Sequence, residues 1–359
     1  MDARENWLRA IEYRRPDWIP CWVALAPIAW KRHGHALEDL VAEHPLLFPG
    51  FKAGDIRDFN RMPVGYRKGE IMTDKWGCRR LCLEDGIAGQ PVSNPLADWG
   101  ALAGYTVPDP TAGSLDEVTQ GHWAFLHGRD VPLTWPEAEV DFRARRARRE
   151  LVIGDGEKLL DRLYFLRGFE NLMIDFALEP PELDRLLEML QDYELRLVDK
   201  WLSIGVDAIS FHTDFATQTD LMISPRSFRK YLVPLFTALF QKCRKAGVHV
   251  VLSSDGRTLA VAEDMRRSGV TMHDPQLRPN TVEGIARAFK GKMCVVVDLD
   301  QQGFPFMKPR EIHEQVREVR DAVGLPEGGL MMRAGINDAD TPLATIEALI
   351  TSMEELCWP

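Results

Sequence analysis

Short apolar runs alternate with longer amphipathic segments along the second half of the chain. The runs are nearly all apolar, which is typical of strands that are covered on both faces of a sheet. They are DAISF (207–211), VHVVLS (248–253), VTMHD (270–274), MCVVVDLD (293–300) and GLMMRAG (329–335). The amphipathic segments, which predict helices, are 181–204, 225–246, 258–268, 281–290 and 309–323. This alternation predicts βαβ units and a parallel sheet.

The first part of the chain is less regular. Residues 3–13 have the pattern of an amphipathic helix, and CWVALA (21–26) predicts a first strand. Residues 55–110 are rich in Gly, Pro, Trp and Asp, which indicates loops and short strands. At least five βαβ units in succession favour the α/β class and a (β/α)₈ TIM barrel with an N-terminal extension and inserted segments. We expect one domain over residues 1–359.

Charge and cysteine content narrow the function classes. The formal net charge of −10 argues against nucleic-acid binding, because phosphate neutralisation needs clustered cations. The basic run Arg143–Arg149 has acids at both ends and is interpreted as a solvated helix. The six cysteines show no C-x-x-C spacing, and no apolar run is long enough to span a bilayer. These features predict a cytoplasmic protein with reduced thiols and no membrane or nucleic-acid partner.

Polar residues follow the predicted strands at their carboxyl ends. In a parallel barrel these ends converge on the face that holds the active site. The candidate catalytic residues are His212, Asp214, Asp255, His273, Asp298, Asp300 and Arg333. Histidine suits acid–base work near neutral pH, and His with Asp also suits a divalent metal. The alternative is that such residues cap the next helix, an interpretation that fits Ser253, Ser254 and Asp274.

Several segments resemble the uroporphyrinogen decarboxylase superfamily, in order along nearly the whole chain. They include ARENWLRAIEYRRPDWIP at the start, TDKWG (73–77), EDGIAGQPV (84–92) and RLYFLRGFENLMIDFALEPPEL (162–183). GVDAISFHTDFATQTDLMISPRSFRKYLVP (205–234) and DTPLATIEAL (340–349) continue the resemblance. It implies a (β/α)₈ barrel with its pocket at the carboxyl ends of the strands.

The sequence departs from both known branches of that superfamily. The R-Q-A-G-R segment of the porphyrin decarboxylases is replaced by CWVALAPIAWKRHGH, without the paired arginines. Methyltransferase members typically hold zinc on H-x-C and a late Cys. Those positions read Ser253-Ser254-Asp255 and Arg333-Ala334-Gly335-Ile336 here. The resemblance therefore favours the methyltransferase-like branch, with any zinc or other divalent metal at a non-standard site and with its ligands undetermined.

Three functions stay open at this stage. The leading hypothesis is demethylation of a small methylated or methoxylated compound, with the methyl group passed to a partner corrinoid protein or to tetrahydrofolate. The second is a lyase of the decarboxylase type acting on a small carboxylic acid, in which Asp214 or Asp300 stabilises a cation and Arg333 holds the carboxylate. The third is a non-catalytic ligand-binding barrel. The resemblance leaves a homodimer open.

Further substrate-binding candidates lie outside the barrel ends. They are Asp74, Trp76, Tyr164 and Arg167. Trp76 and Tyr164 could flank a flat substrate, and the equally weighted alternative is that they are core aromatic residues with polar tips.

Overall fold

The computed structural model of the protein describes residues 1–116 and 120–359. Its strands are β1 (Cys21–Leu25), β2 (Ile71–Thr73), β3 (Arg79–Leu81), β4 (Gln90–Ser93), β5 (Ile153–Asp155), β6 (Ala208–His212), β7 (His249–Ser254), β8 (Met272–Pro275), β9 (Cys294–Asp298) and β10 (Leu330–Ile336). The six strands predicted from apolar runs are confirmed, with ends displaced by one or two residues.

Helices occupy most of the remaining chain. They are α1 (Ala3–Ile11), α2 (Pro27–His33), α3 (His35–Ala42), α4 (Gly121–Leu126), α5 (Trp135–Ala147), α6 (Leu159–Arg167), α7 (Phe169–Leu178), α8 (Pro181–Ile204), α9 (Pro225–Ser227), α10 (Val233–Lys245), α11 (Ala262–Ser268), α12 (Leu277–Asn280), α13 (Val282–Phe289), α14 (Pro309–Val323) and α15 (Leu343–Cys357). Two short 3₁₀ segments (Trp99–Gly104 and Leu259–Val261) and a π-helical turn (Phe228–Leu232) complete them. Within the described residues no helix combines the length and apolar character needed to cross a membrane.

Seven strands form one curled parallel sheet in the order β1-β10-β9-β8-β7-β6-β5. The first strand pairs with the last, as in a barrel, but β1 and β5 are not paired with each other. The predicted closed eight-stranded barrel is therefore not found among the described residues. The reason lies in residues 26–116 and 120–152, which form helices, loops and the separate antiparallel sheet β2-β3-β4 instead of an eighth parallel strand.

Alternation along each strand sorts the side chains onto two faces. One face of the sheet, with Val250, Val297 and Met332 among its residues, packs against the helices in the main core. The other face contains a smaller apolar cluster that includes Val251, Val296 and residues of α1. Helix α1 closes the amino-terminal ends of the strands, where Gly329 N–H donates to the Ala10 carbonyl. The polar side chains lie at the opposite, carboxyl-terminal ends of the strands.

The basic run lies largely in α5 and is confirmed as a solvated segment. Its arginines form ion pairs with nearby acids: Arg143 with Glu139, Arg148 with Glu150, and Arg149 with Asp2. Because exposed pairs of this kind contribute little to stability, the run is a neutralised surface and not a cationic patch.

Candidate functional site

Strand register brings the polar residues at the carboxyl ends into one row. His212 of β6 is opposite Ser253 of β7, and Ser253 is opposite Asp274 of β8. Asp298 of β9 is opposite Arg333 of β10. Because residues in register share a face, these side chains project to the same side of the sheet. We call the region around this row, at the carboxyl ends of the strands, the recess.

Arg333 lies between two carboxylates of this row. Its Nη1 donates to Asp274 Oδ2 at 3.1 Å, and its Nε lies 3.4 Å from Asp298 Oδ1. Burial raises the pKa of both carboxyls to about 6, although the Arg333 charge acts to lower them. Asp274 also accepts from Ser253 Oγ at 2.6 Å and from the Ser254 N–H at 3.2 Å. The helix-cap interpretation of Ser253, Ser254 and Asp274 is thus wrong, because they bond to one another across strands.

Asp255 follows β7 and is the exposed carboxyl of the recess. Although the side chain reaches solvent, partial desolvation and then the charge of the neighbouring Asp214 raise the pKa of Asp255 to about 7. The Asp214 carboxylate is engaged by the backbone: its Oδ1 accepts a hydrogen bond from the Asp255 N–H at 2.9 Å, which fixes the loop that carries Asp255. A carboxyl with this pKa carries a proton for a large fraction of the time near neutral pH.

His212 lies beside a carboxylate that the sequence did not single out. Its Nε2 is 4.0 Å from Asp155 Oδ1, and the His212 side chain keeps 40% of its surface exposed. Although part of its surface is exposed, the His212 ring lies deep among protein atoms, and this desolvation, with the charges of Lys158 and Arg333, lowers the pKa of His212 to about 4. Burial raises the pKa of Asp155 to about 7. At neutral pH His212 is therefore a neutral imidazole and Asp155 holds a proton for part of the time.

Asp155 was missed because β5 has only three residues, too few to give a periodic signal. Sequence reasoning also missed Gln120, which lies just before α4. Its side-chain amide donates a hydrogen bond to Asp155 Oδ2. His122 of α4 lies close enough to Arg333 for that charge to lower its pKa, after the larger effect of burial. The inserted segment therefore contributes side chains to the recess.

His273 points away from the recess, into the main core. It is fully buried, its Nδ1 lies 2.7 Å from the Leu252 carbonyl oxygen, and its Nε2 lies 2.9 Å from Thr258 Oγ1. It follows Met272 and precedes Asp274, so strand alternation turns it to the opposite face. The structure therefore does not bring His273 together with the other candidates.

We expect His273→Ala to destabilise the protein without weakening ligand binding in the recess. The variant removes a packed ring together with its hydrogen bonds to Thr258 Oγ1 and the Leu252 carbonyl oxygen, at a cost of about 2–4 kcal/mol. Urea unfolding measures the loss, and His313→Ala, at a side chain that is 38% exposed, is the control. A stable His273→Ala protein that has lost ligand binding would contradict this assignment.

Asp300 lies at the rim. Its two carboxylate oxygens accept from Arg278 Nε and Nη2, both at 2.7 Å. This bidentate pair fixes the loop after β9 to the segment after β8, so Asp300 is engaged by another side chain and not directed at the centre of the row.

Three of the four outer candidates are held in structural contacts. Asp74 accepts from Arg162 Nη1 at 2.7 Å and from the N–H groups of its own turn. The buried Trp76 donates its indole N–H to Glu157 at 2.7 Å. Arg167 pairs with Asp175 at 2.7 Å. These contacts fit the alternative interpretation, in which such residues belong to the core.

Tyr164 connects to the row indirectly. Its hydroxyl donates to Asp161, and Asp161 Oδ2 accepts from the Asp214 N–H at 2.7 Å. Since Asp214 in turn holds the Asp255 backbone, Tyr164 supports the loop that presents Asp255.

The donor set of the recess does not fit a zinc ion. At the positions that the resemblance assigns to zinc ligands, the chain has hydroxyl and carboxyl groups and the Arg333 guanidinium, which is itself a cation and has no lone pair to offer. The five buried cysteines, Cys78, Cys82, Cys243, Cys294 and Cys357, are all free. Among the described residues, no group of three or more His, Cys, Asp or Glu side chains is arranged to hold a metal.

We expect Asp155 to make the protein less stable as pH rises. Its pKa is raised in the folded state, so its contribution is fully present below the unfolded value of about 4 and is lost as pH rises through about 7. His212, whose folded pKa is lowered, acts oppositely between about 6.5 and 4. Asp155→Asn should therefore reduce the stability difference between pH 5 and pH 8, measured by urea unfolding. The exposed Asp39→Asn on α3 is the control, and an unchanged difference in Asp155→Asn would refute the assignment.

A curled parallel sheet with helices around it and a polar recess at the carboxyl ends of its strands defines an α/β protein of the barrel type. Residues 163–356, more than half of the chain, match the family model of uroporphyrinogen decarboxylase (URO-D). The chain belongs to this family.

A solved structure supports the fold over nearly the whole chain. A methyltransferase from Methanosarcina mazei superposes with a TM-score of 0.61 at 16% identity, covering 98% of both chains. A dihydropteroate synthase from Burkholderia cenocepacia, complexed with 7,8-dihydropteroate, aligns at 16% identity over 53% of this chain and 59% of its own, with a TM-score of 0.33. The structural similarity to the synthase is too low to support a conclusion about this protein. No curated protein sequence matches the chain significantly.

Proposed function

We propose that the protein is an enzyme that removes a methyl group from a small methoxylated or methylated compound. The methyl group passes to a nucleophilic acceptor, either a corrinoid on a partner protein or tetrahydrofolate. The observation that carries the proposal is the position of Asp255, an exposed carboxyl at the end of β7 within electrostatic reach of Asp214, Asp298 and Asp274; partial desolvation and these charges raise its pKa to about 7. The full-length likeness to a methyltransferase fold supports it.

Asp255 acts as the general acid. An ether oxygen is a poor leaving group until it is protonated, and a carboxylic acid with a pKa near the working pH donates a proton efficiently. The Asp255 proton moves to the oxygen, the oxygen–methyl bond breaks with its electron pair on oxygen, and the acceptor's electron pair forms the new bond to the methyl carbon. The products are an alcohol and the methylated acceptor, and the ionised Asp255 regains its proton from the methylated nitrogen of tetrahydrofolate or, with a corrinoid acceptor, from water.

The surrounding carboxylates assist the same step. Positive charge develops on the oxygen and methyl group during transfer, and Asp214, Asp274 and Asp298 all lie close enough to Asp255 to raise its pKa by their charge. Fixed negative charge near a developing cation stabilises the transition state. His212, as a neutral imidazole, is suited to a hydrogen bond with the substrate rather than to charge pairing.

The lyase alternative is less well supported by the contacts of Arg333. Holding a substrate carboxylate needs an available cation, and this guanidinium already faces Asp274 and Asp298. A carboxylate entering the recess would meet more acidic groups than basic ones.

A substrate panel tests the proposal. The purified protein is incubated with methoxylated and methylated compounds and either tetrahydrofolate or a reduced corrinoid protein, and the demethylated product and methylated acceptor are quantified. Stoichiometric formation of both supports methyl transfer. Carbon dioxide release from carboxylic acids without methyl transfer would instead establish the lyase.

A further inference from the structure

The carboxylates around Arg333 form a cation site, although no set of side chains in the described part of the chain is arranged to ligate a metal. Asp274 and Asp298 approach the guanidinium at 3.1 and 3.4 Å from neighbouring strands, and their side chains are only 10% and 4% exposed. Asp255 completes the acidic surroundings, since its charge raises the pKa of Arg333 together with those of the other two. Two buried carboxylates need a cation near them, because unpaired burial is costly.

One edge of the guanidinium is not used by this pairing. Nη1 is bonded to Asp274, and Nε is buried against Asp298. Nη2 has no hydrogen bond to the described residues and is absent from the buried polar atoms that lack a partner, so it reaches solvent. The Arg333 side chain as a whole keeps 25% of its surface exposed. A donor edge with a fixed position therefore faces the recess.

We infer that Arg333 occupies the cation site formed by Asp274 and Asp298. We also infer that the Nη2 edge of Arg333 binds an oxygen atom of the substrate. The assignment of that oxygen to a methoxy or hydroxyl group rests on the proposed function. With both carboxylates ionised, Arg333, Asp274 and Asp298 together carry one net negative charge, so a neutral oxygen is favoured over an anionic one. A guanidinium has a fixed planar geometry and does not dissociate, so the cation is permanently in place.

Removal and chemical replacement of the guanidinium test the inference. In Arg333→Ala the site should accept methylguanidinium, added at millimolar concentration and measured by isothermal titration calorimetry. We expect saturable 1:1 binding to Arg333→Ala and none to the wild-type protein. In Arg333→Ala combined with Asp298→Asn, the affinity should fall about ten-fold, because one of the two carboxylate charges that face the cation is lost. Tetramethylammonium, a cation without donors, is the control ligand.

The outcomes of this experiment decide whether the carboxylates around Arg333 form a binding site for a guanidinium cation. A folded Arg333→Ala protein that does not bind methylguanidinium, or a double variant that binds it equally well, would overturn the cation site. If Arg333→Ala is partly unfolded, methylguanidinium should increase its folded fraction by circular dichroism, because a ligand of the native state shifts the folding equilibrium. No increase would overturn the inference as well. Turnover is not required, so failure here is distinguishable from failure of the methyl-transfer proposal.

Discussion

Asp255→Asn should lower the rate of methyl transfer by about 10²- to 10⁴-fold, which is the usual contribution of a general acid. Asparagine keeps the shape of the side chain but has no acidic proton to give. The wild-type rate should fall as pH rises above about 7, because Asp255 then loses its proton, and the variant should lack this decline. Steady-state rates across pH measure both effects.

Two comparisons make the Asp255 prediction specific. Asp199→Asn changes an exposed carboxylate on α8 and should leave the rate unchanged. Methyl ethers whose alcohol product is more acidic need less protonation, so the deficit of Asp255→Asn should shrink with them. An equal deficit for good and poor leaving groups would show that Asp255 positions the substrate and does not protonate it.

Arg333→Met should destabilise the folded protein by about 3–5 kcal/mol, the cost of breaking a buried ion pair from one side. Methionine fills similar volume, so the loss reports the missing charge and not a cavity. Asp274 and Asp298 would then be buried without their cation, and their pKa values should rise further above about 6. The variant should therefore recover more stability than the wild type as pH falls from about 8 to about 5.

Urea unfolding at several pH values measures the Arg333 prediction. Arg310→Met is the matched control, since Arg310 is 88% exposed and pairs with Glu314 on the surface of α14. Such a pair contributes about 0.5 kcal/mol or less. A loss below about 1 kcal/mol in Arg333→Met would mean that the two carboxylates are satisfied without the guanidinium.

Hydrophobic patterning was sufficient for most of the parallel sheet. Runs such as VHVVLS (248–253) are buried on both faces, so their composition predicts a central strand whatever surrounds them. Amphipathic patterning predicted helices 181–204 and 309–323 with the bounds that the structure has, and a proline in the first turn marks the start of each. Patterning failed at β5, whose three residues are shorter than any detectable period.

The sequence by itself determined which strands end in polar residues, and therefore that a site forms at the carboxyl ends. Only the tertiary structure decided which of those residues share the site. One position along a strand separates Asp274 from His273, yet Asp274 contacts Arg333 and His273 packs in the core. Asp155 joins the site from a strand that sequence reasoning did not detect, beside His212. The orientation, ion pairing and desolvation of these side chains depend on neighbours that are distant in the chain. The pattern of residues along the sequence does not show which residues those neighbours are.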